Sequence, residues 1–278
     1  MNGQACPIEK VDRLLVATDG TDSSEGALRE AINLAKVCSS KLIIMSVIVS
    51  NREYESAFVW QMENNERKML AKLESIRRKV SQEGVDCKVI TCRGEDPYLD
   101  IVNQAEKNQV RMVIMGTRGR TGIKRVIMGS VAGKVIGHAS CNVLIVHPEA
   151  KIGYKKIVIA TDGSRHSEDA ASEAIAIAKR CESFISVVSV AASDAETVSA
   201  KENVRQIVEL AKQNGIKIEG IIIQGLPYEA IVRHAKQNGA DLIVVGSHGR
   251  TGLMSILVGT VAERVVCHAE CAVLVVKI

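Results

Sequence analysis

Aromatic residues are scarce: one Trp, two Phe and four Tyr make up 3% of the 278 residues. A core so poor in rings must be built from Val, Ile, Leu, Met and Ala, which favours layered α/β packing over an aromatic-rich sandwich. Charge of one sign is also scarce. A net charge of +4 is mild, and a nucleic-acid binder would concentrate more positive charge than this on one face. No apolar run reaches the roughly 18 residues of a membrane span. The opening stretch MNGQACPIEKVDRLL lacks the basic-then-apolar layout of a secretory signal, so a cytoplasmic location is expected. Eight cysteines are present but form no CxxC pair, and Cys267, His268 and Cys271 supply too few convergent ligands for a tetrahedral metal site. In a reducing compartment these thiols are expected to be free.

What is present is one unit written twice. DRLLVATDGTDSSEGALREAINLAKVC is echoed by KKIVIATDGSRHSEDAASEAIAIAKRC, with Asp19 matching Asp162 and Cys38 matching Cys181 at an offset of 143. Later the offset is 130, so that Gly116 matches Gly246 and His138 matches His268; the second copy has lost 13 residues after its second strand, where the first carries SNREYESAFVWQMENNERK. One wall of any cleft in the second copy is therefore expected to be shorter. Trp60 and Met62 lie in the segment the second copy lacks, as lid, partner surface or packing residues. Two domains are expected, residues 1–148 and 154–278, joined across Pro148 and Gly153.

Each unit alternates short β-branched runs with longer amphipathic ones. In the first, Arg13–Thr18, Lys41–Val49, Cys87–Cys92, Arg111–Met115 and Val143–Val146 read as strands. Ser23–Cys38, Glu66–Glu83, Pro97–Asn108 and Ser130–Ala139 read as helices. Capping residues stand at Asp22–Ser24 and at Ser164–Ser167. Continuous apolar strands such as LLVAT and LIVVG predict a parallel sheet covered on both faces, doubly wound, with five strands per unit.

In such a sheet ligands bind beyond the carboxyl ends of the strands. Two segments of each unit have that address: ATDG after the first strand, ending in Asp19 or Asp162, and a glycine stretch after the fourth. The latter reads GTRGRTGIKRVIMGS from Gly116 to Ser130 and GSHGRTGLMSILVGT from Gly246 to Thr260. Gly116 and Gly119 permit a sharp turn and close backbone approach. Gly129 and Ser130 open the last helix, whose free N–H groups and positive dipole end favour an anion. The Ser130 or Thr260 hydroxyl is suited both to cap the helix and to donate to a phosphate oxygen. The spacing is neither a Walker motif nor a GxGxxG fingerprint. The basic run Arg118, Arg120, Lys124 and Arg125 is read as a phosphate contact or a solvated face, the latter favoured for Lys124 and Arg125, and His138 and His268 as packed or surface residues.

Gly-x-x-Gly, nine residues, then Gly-Ser/Thr after a strand, with an Asp ending the first strand, resembles the ATP-binding branch of the universal stress protein family. The resemblance runs from about Val11 to Ile278 as a tandem of two such domains. It implies the strand order 3-2-1-4-5. It also implies that Asp19 and Asp162 hold the ribose or adenine side and that the backbone of Val47 and Val190 meets the adenine. Gly116, Gly119, Gly129, Ser130 and Val131 would line the phosphates in the first unit, and Gly246, Gly249, Gly259, Thr260 and Val261 in the second. The ligand would be ATP, or ADP or AMP, with Mg²⁺ on the phosphates. The last strands would pair within the chain as a pseudo-dimer, and two chains would associate as a homodimer.

The function implied is a nucleotide-binding regulator of a stress response. The alternatives are a slow ATPase or nucleotidyl-transfer enzyme on the same fold, or a nucleotide-free interaction module. No acid–base pair or activated nucleophile stands out in sequence beside the glycine stretch. The Ser-Gly-Gly-rich loop of related pyrophosphatase-type synthetases is replaced by ATDGTDSS.

Overall fold

The computed structural model describes residues 5–9, 11–50, 55–117, 128–249 and 258–277. The first unit runs β1 (Arg13–Ala17), α1 (Glu25–Cys38), β2 (Lys41–Val49), α2 (Glu55–Gln82), β3 (Cys87–Gly94), α3 (Pro97–Lys107), β4 (Met112–Gly116), α4 (Ser130–His138) and β5 (Asn142–Val146). The second repeats it as β6 (Lys156–Ala160), α5 (Arg165–Cys181), β7 (Phe184–Ala191), α6 (Asp194–Gln213), β8 (Lys217–Gln224), α7 (Pro227–Gln237), β9 (Leu242–Gly246), α8 (Thr260–His268) and β10 (Ala272–Val276).

All ten strands form one sheet, in the order β3-β2-β1-β4-β5-β10-β9-β6-β7-β8. Each half is parallel in the predicted order, and the halves join through antiparallel pairing of β5 with β10, Leu144 opposite Leu274. This seam removes an open edge from each half, which an isolated unit would have to protect. Every residue of β4, β5 and β10 except Gly116 is apolar or, at Asn142, hydrogen-bonded, and all are buried. Two apolar layers result. Ala27, Ala31 and Leu34 of α1, Leu73 of α2 and their counterparts in α5 and α6 cover one face. Ile101 of α3, Val135 and Ile136 of α4 and their counterparts in α7 and α8 cover the other. Each fully buried Leu or Ile contributes about 1.5–3 kcal/mol.

Capping agrees with the sequence at Ser164, whose Oγ accepts from the Ser167 N–H at 3.3 Å. In the first unit Asp22–Ser24 instead form a 3₁₀ turn, and no side chain caps α1. The helix expected from Glu66 begins at Glu55. The extra residues of the first unit thus lengthen α2 to 28 residues against 20 in α6, and Trp60 lies on this extension, 74% exposed. The expectation of free thiols is also corrected: Cys6 and Cys38 form a disulfide, and the other six cysteines stand outside any disulfide. Cys6 precedes β1 and reaches the C-terminal end of α1, a proximity that residues 32 apart in sequence do not announce.

The connection between the units is pinned at the seam. Tyr154, at φ 54°, buries its ring and donates its hydroxyl to Glu30 Oε1 of α1 at 2.7 Å. Burial pushes the Glu30 carboxyl up to about 7, although the Tyr154 hydrogen bond and Arg29 act the other way. The pseudo-symmetric Glu173 of α5 faces Arg111 instead, at 3.5 Å. One side of the seam is thus an ion pair and the other a buried acid–phenol contact.

Candidate functional site

The carboxyl ends of β1, β2 and β4 diverge around a cavity of about 240 Å³, and those of β6, β7 and β9 around one of about 330 Å³. The first is lined by Asp19, Val47, Gly116, Gly129, Ser130 and Val131. The second is lined by Asp162, Val190, Gly246, Gly249, Gly259, Thr260 and Val261. The sequence-predicted residues therefore converge in both units, because β1 and β4, like β6 and β9, are sheet neighbours whose chains leave to opposite faces. Gly119 and the basic run at 118–125 lie outside the described residues. The cleft floors are apolar, with Met45, Ile101 and Met115 in one and Val188, Ile231 and Val245 in the other. A larger hollow of about 530 Å³ between α1 and α2 is lined by none of these predicted residues.

Asp19 is built into a turn as well as the cleft. Its Oδ1 accepts from the Thr21 N–H at 3.0 Å and the Thr21 hydroxyl at 2.7 Å. Asp162 Oδ1 accepts from the Ser164 N–H at 3.0 Å. These local bonds fix each carboxylate through one oxygen. In the second unit the other oxygen faces the glycine stretch: a Cβ added to Gly249 would lie 2.7 Å from Asp162 Oδ2. The glycine stretch and the carboxylate touch across the cleft. Thr18 and Thr161, beside these acids, tie the strand ends to the following helices through Ser24 and Ser167, hydroxyl to hydroxyl at 2.7 and 3.1 Å.

Two readings of the glycine stretch change. Gly116 and Gly246 end β4 and β9 rather than following them, and the close approach they permit is to protein. A Cβ at Gly116 would meet the Ser23 carbonyl at 2.5 Å, and one at Gly246 the His166 backbone at 2.6 Å. The N-caps of α4 and α8 are Gly129 and Gly259, not the hydroxyl residues. Ser130 and Thr260 occupy the first helical position. Both residues line the clefts. Gly129 N–H donates to the Thr117 carbonyl at 3.0 Å, and Gly259 N–H to Ser247 at 2.9 Å. Each loop is thereby closed at its base, with a helix N-terminus facing the cavity.

The side wall of the second cleft, expected to be short, includes Glu196, Ser199 and Ala200 of α6. His248 also lines this cleft. The helix histidines are packing residues: His138 lies 4.9 Å from the Tyr98 ring and His268 4.9 Å from Tyr228, centroid to centroid. Burial pushes the Cys271 thiol up to about 12, the opposite of what a thiolate ligand requires.

Comparison with known proteins agrees with this architecture. The model of the universal stress protein family matches residues 10–147 and again 153–277. A universal stress protein of Methanocaldococcus jannaschii is 41% identical over 140 residues, covering 45% of this chain and 82% of that protein. A universal stress protein of Mycolicibacterium smegmatis is 26% identical over 297 residues, covering 95% of this chain and 96% of its own. Among solved structures, a universal stress protein of Archaeoglobus fulgidus superposes with a TM-score of 0.76 over 96% of this chain and 99% of its own, at 21% identity. That likeness concerns the fold.

Proposed function

The chain belongs to the universal stress protein family, and from that premise we propose that it is an adenine-nucleotide-binding regulatory protein with one ligand cleft in each half. The observation that carries the reading is the convergence of three unlike features in each cleft. These are a carboxylate, Asp19 or Asp162, a glycine-closed helix N-terminus, and an apolar floor. The helix N-termini at Gly129–Ser130 and Gly259–Thr260 suit phosphates through free N–H groups and dipole. The carboxylates suit ribose hydroxyls, and Val47 and Val190 offer backbone to an adenine on the apolar side. ATP is the ligand proposed, with ADP or AMP using the same contacts.

Among the described residues no group of three or more His, Cys, Asp or Glu side chains converges to cage a cation. Mg²⁺ would accompany the triphosphate, held mainly by phosphate oxygens, with Asp19 or Asp162 as a carboxylate available in the cleft. The proposed role is binding: nucleotide shifts the protein between states of unequal affinity for it and so alters partner binding. Hydrolysis, where it occurs, is slow. A cytoplasmic location and association of two chains into a homodimer belong to the same proposal.

Protein purified without added ligand is to be denatured and the supernatant assayed for adenine nucleotide, alongside thermal unfolding with millimolar ATP and Mg²⁺. Release of nucleotide, or a rise in Tm that Gly129→Val and Gly259→Val together abolish, is expected. Absence of both nucleotide release and a Tm shift defeats the reading. Steady-state phosphate release far above that double variant would make the protein an enzyme instead.

A further inference from the structure

The two units do not carry the same residues at matching positions of the glycine stretch and the first helix. In the second, His248 lines the cavity and its ring lies 5.1 Å from that of His166, centroid to centroid. Ser247, buried between them, has its Oγ 3.1 Å from His248 Nδ1 and 3.4 Å from His166 Nδ1. A hydroxyl has one hydrogen to give, so it donates to one ring and accepts from the other. The pair is thereby joined behind the cleft wall. At the matching positions of the first unit stand Ser23 and Arg118. A residue of permanent charge in the first unit is replaced by titratable imidazoles in the second.

The surroundings of His166 act on its charge. Burial first, and then the neighbouring His248, hold His166 below the ordinary imidazole range. Lys277 pushes the same way, while Asp169 of its own helix and Asp162 of the preceding loop oppose. Glu196 of α6 completes the charged lining on the far side of the cavity. Burial and the neighbouring ring thus act against a cation at His166. A phosphate beside the paired rings acts the other way, because an anion within a few ångströms favours the cationic ring.

We propose that the second cleft takes up a proton together with its phosphate-bearing ligand, through His248 at the phosphates and His166 behind it, whereas the first cleft does not. His248 is the contact residue and His166 a positioning residue that acts through Ser247. The inference rests on the nucleotide reading of the clefts and adds to it a pH dependence confined to one of them. Linkage sets the scale: one proton gained on binding changes affinity by up to tenfold per pH unit across the imidazole range.

The test uses the full chain with one cleft blocked at a time and Mg-ATP as the probe. Gly129→Val leaves the second cleft, and Gly259→Val leaves the first as the reference for protons the nucleotide itself carries. Calorimetric titration at pH 6 and pH 8, in buffers of different ionisation enthalpy, reads both affinity and proton uptake. The second cleft is expected to bind at least tenfold more tightly at pH 6 than at pH 8, beyond the change shown by the first cleft, with net proton uptake. His248→Arg should remove the excess pH dependence, read as the ratio of affinities at the two pH values, and His166→Ser should reduce the proton uptake. Equal pH dependence in both clefts, or a dependence that survives His248→Arg, overturns the inference while the nucleotide reading stands. Binding in the first cleft and none in the second at either pH also overturns it. No binding in either cleft overturns the nucleotide reading itself.

Discussion

Replacing Glu30 by Gln should stabilise the protein in alkaline solution and leave it unchanged in acid. Glu30 is 6% exposed on α1 and accepts from Tyr154 of the connection between the units. Burial is the first cause of its raised carboxyl, from 4.5 to about 7; the Asp241 charge adds to it, while Tyr154, Arg29 and Asn33 oppose. A carboxyl that binds its proton more tightly folded than unfolded favours the native state fully below its unfolded value. That advantage fades as pH rises from about 4.5 through about 7. At 1.36 kcal/mol per pH unit the loss amounts to about 3 kcal/mol by pH 8. Gln keeps an oxygen for the Tyr154 hydroxyl and never ionises. The variant and the parent should therefore share one urea midpoint near pH 4.5. At pH 8 the variant should lead by roughly 1 M, for a urea slope of about 3 kcal/mol/M. Equal midpoints at both pH values, or a variant weaker at pH 8, would refute the assignment of an acid raised by burial at the seam.

Gly249→Ala places a methyl 2.7 Å from Asp162 Oδ2, so nucleotide affinity of the second cleft, measured with the first blocked by Gly129→Val, should fall at least tenfold. The same substitution should leave the first cleft's affinity unchanged. Ser164→Ala removes the one cap of α5 that a side chain makes and should cost about 1 kcal/mol in urea unfolding.

The sheet was legible because its determinants are local and repeated. Runs such as LLVA and MVIM are apolar without alternation, which only strands covered on both faces need, and the same pattern recurs after the duplication. Asp19 and the glycine stretch were placed in one cleft once β1 and β4 were known as neighbours. The start of α2 was not legible, since residues 55–65 mix Glu, Asn and Gln with Phe, Val and Trp and show no clean 3.6-residue stripe. Helix capping was misassigned at Ser130 because a glycine and a hydroxyl in tandem are both acceptable N-caps, and the Gly129 bond to Thr117 decides between them. Contacts spanning long separations were invisible: Tyr154 to Glu30 over 124 residues, Ser247 to His166 over 81, and Cys6 to Cys38 across a strand and helix. For the histidines one signal did exist. Both stand where the first repeat has a different residue, Ser23 or Arg118, in segments that are otherwise closely matched.

Nucleotide stoichiometry tests the central claim most directly. Calorimetric titration of the full chain with Mg-ATP should find two sites per chain, Gly129→Val and Gly259→Val should each leave one, and the double variant none. Full binding in the double variant, or no saturable binding in the parent, would contradict the assignment of the paired glycine clefts as nucleotide sites.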